Sequence, residues 1–210
     1  MRRTRIKICG ITRPIDAIAA AEAGADGIGV FLHGKSKRWI TIKQAKVIVR
    51  ALPPLVTAVG LFVDAEEKFI REAVAMLGLS AVQLHGDETP ELVAKLAPIP
   101  VIKAIGVDTN LLAELRRWKK SPLRGILLDN PGGGGKGIEN DWSAIASIQW
   151  NGFAPMIVAG GLNAKNVGPV VRRLRPAAVD VCSGVESAPG EKSKSMLRRF
   201  VTAVRHADGG

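Results

Sequence analysis

The sequence predicts an α/β fold in which eight parallel strands, each followed by a helix, close into a single (β/α)8 barrel, the TIM barrel architecture. Two observations predict this fold. Short apolar runs rich in β-branched residues alternate eight times with longer amphipathic stretches, and a chain of 210 residues fits one domain. We therefore expect residues 1–210 to form one barrel domain with right-handed crossovers between its strands.

Most of the predicted strands are continuous apolar runs, which is typical of strands that are covered on both faces. Each run is short enough for a barrel strand and is followed by a helix candidate. The eight strands are predicted at residues 5–9, 27–31, 55–63, 81–85, 101–105, 125–129, 156–160 and 178–182.

Proline and glycine mark the boundaries of several predicted helices. The first helix opens at Pro14 and stops before Gly24, and the second stops before Pro53. The third ends at Gly78, and Pro90 lies in the first turn of the fourth. The eight helices are predicted at residues 14–23, 41–52, 66–77, 89–96, 110–119, 142–148, 164–174 and 192–204.

An open, doubly wound sheet is the alternative arrangement of the same strands and helices. Such a sheet usually carries a glycine-rich fingerprint directly after its first strand. Residues 10–12, which follow the first predicted strand, read Gly-Ile-Thr and contain no such fingerprint. The closed barrel is therefore the favoured arrangement.

The chain is strongly basic, with 30 Lys and Arg residues against 19 Asp and Glu residues and a formal charge of +11. Solvated helix faces explain part of this charge, and a basic field also attracts a small polyanion such as a sugar phosphate. We expect no nucleic-acid partner, because no tail or aromatic-basic stripe stands apart from the fold. The longest stretch without charge, residues 142–164, is interrupted by polar residues and Pro155, so we expect no membrane span.

Two cysteines, Cys9 and Cys182, indicate a reduced cytoplasmic protein rather than a disulfide scaffold. They end the first and last predicted strands, which become neighbours when the barrel closes. We expect the two thiols to lie close together and reduced, with a bridge under oxidation as the alternative. Neither His33 nor His85 forms a zinc motif with them, so we predict no metal site.

The carboxyl ends of the strands form the functional face of such barrels. Gln83 and His85 come from the fourth strand and Asp180 from the eighth, and all three are candidate substrate contacts. Arg38 lies in the polar loop after the second strand, where a guanidinium can hold a carboxylate through two parallel hydrogen bonds. A solvated loop charge is the alternative interpretation of Arg38.

Two glycine turns follow the last two strands and predict a phosphate site. Gly160 and Gly161 precede a helix that we expect Asn163 to open, and Ser183 and Gly184 follow the eighth strand. Glycine lets backbone N–H groups approach a phosphate, and these two loops form the usual phosphate clamp of such barrels. Plain tight turns are the alternative, but two glycine turns in the two expected loops favour phosphate.

Cys9 and Asp129 are the candidate base and acid. A thiolate abstracts a proton when neighbouring cations lower its pKa, and Lys7 is such a neighbour. A carboxyl group donates a proton when burial raises its pKa. A core cysteine and a helix-capping aspartate are the alternatives, but both residues end strands at the same rim. The glycine-rich segment 132–136, which ends in Lys136, is either a lid over this rim or a plain connector.

These residues lie in strings that resemble the phosphoribosylanthranilate isomerase family. The strings are KICGIT at residues 7–12, VQLHG at 82–86, LLD at 127–129, AGGL at 159–162 and VDVCSGVE at 179–186. They occur in the order found in the family and cover nearly the whole chain. Related barrels of histidine and tryptophan synthesis share the phosphate loops but not these strings.

The resemblance implies an Amadori rearrangement of N-(5-phosphoribosyl)anthranilate, the third step of tryptophan synthesis from chorismate. It implies that Cys9 is the general base, that Asp129 is the general acid and that Arg38 binds the anthranilate carboxylate. It also implies that Asp180 lies near the ribose hydroxyls. No cofactor is implied, because the substrate supplies its own electron sink. The implied partner is this small molecule, and the implied assembly is a monomer or a homodimer.

Several departures from the family pattern and two rival functions accompany this interpretation. Cys182 stands where the family usually has the first of two serines, and Gly134 replaces the usual threonine of the lid loop. The histidine-pathway phosphoribosyl isomerase performs the same chemistry with two aspartates, which Cys9 argues against. A non-catalytic phosphosugar-binding barrel is the rival from another class.

Overall fold

The computed structural model describes residues 3–130 and 142–209, and within them eight parallel strands close into a barrel. Each strand pairs with the next along the chain, and β8 pairs with β1. The predicted fold is therefore confirmed. The strands are β1 (Arg5–Ile8), β2 (Gly27–Phe31), β3 (Thr57–Phe62), β4 (Ala81–Leu84), β5 (Val101–Gly106), β6 (Gly125–Asp129), β7 (Met156–Val158) and β8 (Ala178–Val181).

A helix follows every strand of the barrel, and a short hairpin precedes the last helix. The helices are α1 (Pro14–Ala23), α2 (Ile42–Arg50), α3 (Glu67–Leu77), α4 (Pro90–Lys95), α5 (Leu111–Trp118), α6 (Trp142–Ala146), α7 (Val167–Leu174) and α8 (Lys194–Ala207). After β8, a 3-10 turn at Ser183–Val185 leads into β9 (Glu186–Ala188) and β10 (Glu191–Lys192), which pair antiparallel.

The local signals that bound the helices act as the sequence predicts. Gly24 ends α1 in the left-handed conformation, with φ of 100°. Thr41 caps α2 in a reciprocal arrangement with Gln44, so the helix proper begins one residue later than predicted. Ser193 caps α8 by accepting from the backbone N–H of Met196 at 3.4 Å.

Several predicted boundaries are wrong, and the structure gives the reason for three of them. Leu55 does not begin the third strand but lies in a turn, where its side chain is 94% exposed. Asn163 does not open the seventh helix; its N–H donates to Asn166 Oδ1 at 2.8 Å, and α7 begins at Val167. Lys192 does not open the last helix but lies in β10, because ion pairing with Glu186 holds its ammonium group inside the protein.

The apolar core lies between the barrel and its surrounding helices, with Trp118, Phe62 and Phe200 as its largest fully buried side chains. A smaller apolar cluster includes Ala104 and Ala159, which also line the cavity described below. Within the described residues, no helix combines the length and apolar character that crossing a membrane requires.

A buried ion pair fixes the loop that follows β4. Lys103 Nζ lies 2.9 Å from Glu88 Oε2 and also donates to the carbonyl of Gly86 at 2.7 Å. Glu88 in turn accepts from the backbone N–H groups of Gly86 and Asp64, at 2.9 and 3.1 Å. Because both charged side chains are almost fully buried, this loop has one defined path, and His85 at its start is held in place.

We expect Glu88→Gln to lower the free energy of unfolding by about 3–5 kcal/mol, because it leaves the buried Lys103 ammonium without its carboxylate. Urea unfolding measures this loss. The matched control is Glu114→Gln, which breaks a half-exposed pair with Arg117 at 3.5 Å and should change little. Equal losses in the two variants would contradict a special role for the buried pair.

Candidate active site

A cavity of about 650 Å³ opens at the carboxyl ends of the barrel strands, where the sequence places the functional face. Gly184 lies outside its lining, in the loop behind it. The other predicted site residues all line the cavity: Cys9, Arg38, Gln83, His85, Asp129, Gly160, Gly161, Asp180, Cys182 and Ser183.

Lys7 and Asp180 form a buried ion pair beneath the cavity. They stand opposite each other in the β1–β8 pairing, and Lys7 Nζ donates to Asp180 Oδ1 at 2.8 Å. Burial alone would lower the pKa of Lys7, but the Asp180 carboxylate and the Cys9 thiol raise it above its ordinary value. Lys7 therefore stays charged. The sequence indicates Lys7 only as a neighbour of Cys9 and does not predict its ion pair with Asp180.

The two thiols of Cys9 and Cys182 lie side by side at the closing seam. The backbone N–H of Cys9 donates to the carbonyl of Val181 at 2.8 Å, so Cys9 and Cys182 occupy adjacent positions on neighbouring strands. Both are free thiols, hydrogen-bonded to each other. The expected closeness of the two cysteines is confirmed.

The direction of the pKa shift of Cys9 differs from the expectation. Its hydrogen bond with Cys182 and its burial raise the pKa of Cys9, and the charge of Lys7 only partly opposes them. The hydrogen bond from Cys9, together with the charges of Lys192 and Arg38, lowers the pKa of Cys182. Burial and the neighbouring thiol thus oppose the Cys9 thiolate that we expected the basic rim to favour.

Asp129 ends β6 as a buried carboxyl group facing the cavity. Burial raises its pKa, as the sequence predicts for a general acid, although His85 and the backbone N–H of Asn130 oppose this rise. His85 Nε2 lies 3.5 Å from Asp129 Oδ2, and burial lowers the pKa of His85, so its ring is neutral. The neutral ring of His85 carries one N–H. It presents this donor to Asp129 without placing a positive charge beside the carboxyl group.

Gln83 orients this histidine. Its Nε2 lies 3.1 Å from His85 Nδ1 and donates to it, which leaves the imidazole proton on Nε2, on the side of Asp129. Gln83 Oε1 is buried and has no hydrogen-bond partner among the described residues. Because buried polar atoms are normally paired, this oxygen indicates a donor supplied by a ligand. The spacing of two along β4 is the signal that could have linked Gln83 to His85 in the sequence.

The loops after β7 and β8 pack tightly against each other. Gly160 and Gly161 have φ of 85° and 69°, a left-handed path that favours glycine. A Cβ on Gly184 would lie 1.9 Å from the carbonyl oxygen of Leu162, so only glycine allows this approach. The two predicted phosphate loops therefore form one continuous backbone surface at the rim, next to Ser183.

Arg38 is not a solvated loop charge. Its Nε and Nη2 donate to the two carboxylate oxygens of Glu186, at 2.8 and 2.6 Å, and its side chain is 13% exposed. Sequence reasoning missed Glu186 and its second partner, Lys192, whose Nζ lies 2.8 Å from Glu186 Oε1. The expected lid, with Gly134 and Lys136, lies outside the described residues.

The family comparison covers almost the whole chain. Residues 6–203 match the model of the family described as N-(5'phosphoribosyl)anthranilate (PRA) isomerase. The N-(5'-phosphoribosyl)anthranilate isomerase of Myxococcus xanthus is 45% identical over 205 residues, which cover 96% of each chain. Its counterpart from Pseudomonas putida is 44% identical over 210 residues, covering 99% of this chain and 100% of the relative.

Solved structures agree with the sequence relatives. Phosphoribosylanthranilate isomerase from Thermotoga maritima superposes with a TM-score of 0.88 at 40% identity, covering 97% of this chain and 99% of that one. A structure of phosphoribosylanthranilate isomerase in complex with reduced 1-(o-carboxyphenylamino)-1-deoxyribulose 5-phosphate gives a TM-score of 0.86 at the same identity and coverage. With this agreement over its whole length, the chain belongs to the phosphoribosylanthranilate isomerase family.

Proposed function

We propose that this chain converts N-(5-phosphoribosyl)anthranilate into 1-(2-carboxyphenylamino)-1-deoxyribulose 5-phosphate, an aldose–ketose isomerisation of tryptophan biosynthesis, by general acid–base catalysis. The observation that carries the proposal is the pairing of a buried carboxyl group, Asp129, with a buried thiol, Cys9, across one cavity. The relative solved with a reduced form of this product supports the choice of ligand.

The reaction needs two proton transfers at different atoms of the sugar. Asp129 donates its proton to the ribose ring oxygen, the C1–O bond breaks, and the ring opens to a Schiff base. Cys9, as a thiolate, then removes the proton from C2, and the electron pair moves onto the nitrogen to give an enolamine. Transfer of a proton from the C2 hydroxyl to C1 completes the aminoketone, and exchange with solvent restores Asp129 and Cys9.

The remaining predicted residues bind the substrate in this proposal. The phosphate lies at the surface formed by Gly160, Gly161 and Ser183, with Gly184 holding the two loops together. Arg38 receives the anthranilate carboxylate. The ribose hydroxyls meet Asp180 and the unpaired oxygen of Gln83. The matched relatives have the same length, which supports one catalytic domain over residues 1–210.

Assembly and location are part of the same proposal. One solved relative consists of monomers generated from the dimeric phosphoribosylanthranilate isomerase of Thermotoga maritima, and we propose a monomer or homodimer for this chain. The two free thiols favour a reducing compartment, so we propose a cytoplasmic enzyme.

We expect Cys9→Ala and Asp129→Asn each to lower kcat about 10²–10⁴-fold, with KM changed less, because each removes one of the two proton-transfer groups. The loss of substrate fluorescence on turnover measures both constants. Asp108→Asn, at an exposed carboxylate on the cavity rim, is the matched control.

Near-normal kcat in both folded variants would leave the non-catalytic phosphosugar-binding barrel as the better function. Turnover of the histidine-pathway substrate, and not of phosphoribosylanthranilate, would instead favour the related isomerase.

We expect Cys182→Ser to lower the pKa of Cys9, because a serine hydroxyl does not ionise before Cys9 and instead donates a hydrogen bond to its thiolate. The ascending limb of the pH–rate profile that requires this thiolate should move to lower pH. Ultraviolet absorbance of the thiolate measures the pKa directly, and Cys9→Ser provides the matched single-thiol variant that reports Cys182. An unchanged pKa of Cys9 in Cys182→Ser would show that the thiol pair does not share charge.

We expect Gly184→Ala to raise KM about tenfold or more and to weaken inhibition by inorganic phosphate, because its Cβ displaces the backbone of Leu162 and with it the phosphate loop. Gly78→Ala is the control for packing, since its Cβ meets nothing within 4 Å, although Gly78, unlike Gly184, has a left-handed φ of 66°. Parallel effects in the two variants would mean that Gly184 contributes stability alone.

A further inference from the structure

The hairpin formed by β9 and β10 lies at the rim and is not part of the eight-stranded barrel. It brings Glu186 and Lys192 under the loop that carries Arg38. The Lys192 side chain is 0% exposed, that of Glu186 is 5% exposed and that of Arg38 is 13% exposed. Three charged groups are thus gathered in one almost fully buried cluster beside the cavity.

Glu186 engages only one edge of the Arg38 guanidinium. Nε donates to Oε1 at 2.8 Å and Nη2 donates to Oε2 at 2.6 Å. A guanidinium is planar and carries five N–H donors, so its end-on edge, made of Nη1 and the second N–H of Nη2, is not used by this carboxylate. Because Arg38 lines the cavity, that edge is suited to a second carboxylate with two parallel hydrogen bonds.

Lys192 keeps the Glu186 carboxylate ionised and gives the cluster a net positive charge. Its Nζ donates to Glu186 Oε1 at 2.8 Å and to the carbonyl of Cys182 at 3.0 Å. Burial alone would raise the pKa of Glu186, but the hydrogen bonds from Arg38 and Lys192 outweigh burial and hold that pKa below its ordinary value. Two cations against one carboxylate leave a net positive charge for an incoming anion.

The hairpin is itself anchored to the start of the barrel. The backbone N–H of Lys192 donates to Asp16 Oδ2 at 3.2 Å, and Arg13 Nε pairs with the same oxygen at 2.9 Å. The backbone N–H of Gly190 donates to Glu186 Oε1 at 3.2 Å. The carboxylate of Glu186 is therefore fixed on its far side as well, and it can impose an orientation on Arg38.

We propose that Glu186 and Lys192 are positioning residues that hold Arg38 with its end-on edge toward the cavity, and that they thereby make the site selective for an aryl amine bearing an ortho carboxylate. This inference rests on the proposed function, in which Arg38 meets the anthranilate carboxylate. The proposed effect is preorganisation: an arginine that is already oriented loses less conformational freedom when the ligand binds.

The test compares two ligands by calorimetry: reduced 1-(o-carboxyphenylamino)-1-deoxyribulose 5-phosphate and the same molecule made from aniline, which lacks the carboxylate. In Glu186→Gln, the Kd of the aniline compound divided by the Kd of the carboxylate compound should fall about tenfold or more toward one. The Kd of the aniline compound itself should change much less. Glu186→Asp, which keeps the charge but withdraws it from Arg38, should lower the same ratio. The matched control is Glu191→Gln on the same hairpin, whose half-exposed carboxylate pairs with Arg13 and should leave the ratio unchanged.

The outcomes separate this inference from the proposed function. Equal weakening of both ligands in the Glu186 variants would indicate a purely structural hairpin and overturn the inference. Tighter binding of the carboxylate ligand would indicate that Glu186 competes with it for Arg38, which also overturns the inference. If Arg38→Lys loses the selectivity and both Glu186 variants keep it, then Arg38 contacts the carboxylate but Glu186 does not position it, which overturns the inference. Selectivity that falls as expected in an enzyme without turnover would support the inference while the proposed function fails.

Discussion

The pairing of β1 with β8 is the constraint on which the rest of the site depends. This seam joins residues more than 170 positions apart in the chain, and its register sets Lys7 opposite Asp180 and Ile8 opposite Val181. A shift of one residue would turn each side chain to the other face of the sheet and separate Lys7 from Asp180. The thiols of Cys9 and Cys182 meet for the same reason. Closure of the barrel therefore assembles the two thiols and their charged neighbours in one step.

Charge balance explains how so many ionised groups are tolerated in and beside the cavity. Lys7 with Asp180, Lys103 with Glu88, and Arg38 and Lys192 with Glu186 form three separate clusters of opposite charges. Each ion loses hydration when it is buried, and only a well-placed partner with further hydrogen bonds offsets that loss. Backbone groups supply those further bonds at Glu88 and Glu186. The clusters are rigid for this reason, which suits a site that must hold a sugar phosphate in a fixed orientation.

The barrel and most of the site were predictable because their signals are local. Apolar runs mark strands, Gly24 and Thr41 mark helix ends, and position at a strand end marks Asp129 for the cavity. The sequence predicts that the last helix begins at Lys192, whereas the structure places Lys192 in β10. Its true place depends on Glu186, Asp16 and the Cys182 carbonyl, and none of these contacts is visible in a local pattern.

The thiol pair and the cluster of Arg38, Glu186 and Lys192 share one electrostatic network. Lys192 Nζ lies 3.8 Å from Cys182 Sγ and 2.8 Å from Glu186 Oε1, and the charge of Arg38 helps to lower the pKa of Cys182. Loss of either cation would raise the pKa of Cys182, and so alter the hydrogen-bonded thiol of Cys9 as well. Effects of substitutions at Arg38, Glu186, Lys192 and Cys182 are therefore not additive. A double-mutant cycle across two of them measures the coupling between this cluster and the thiol pair.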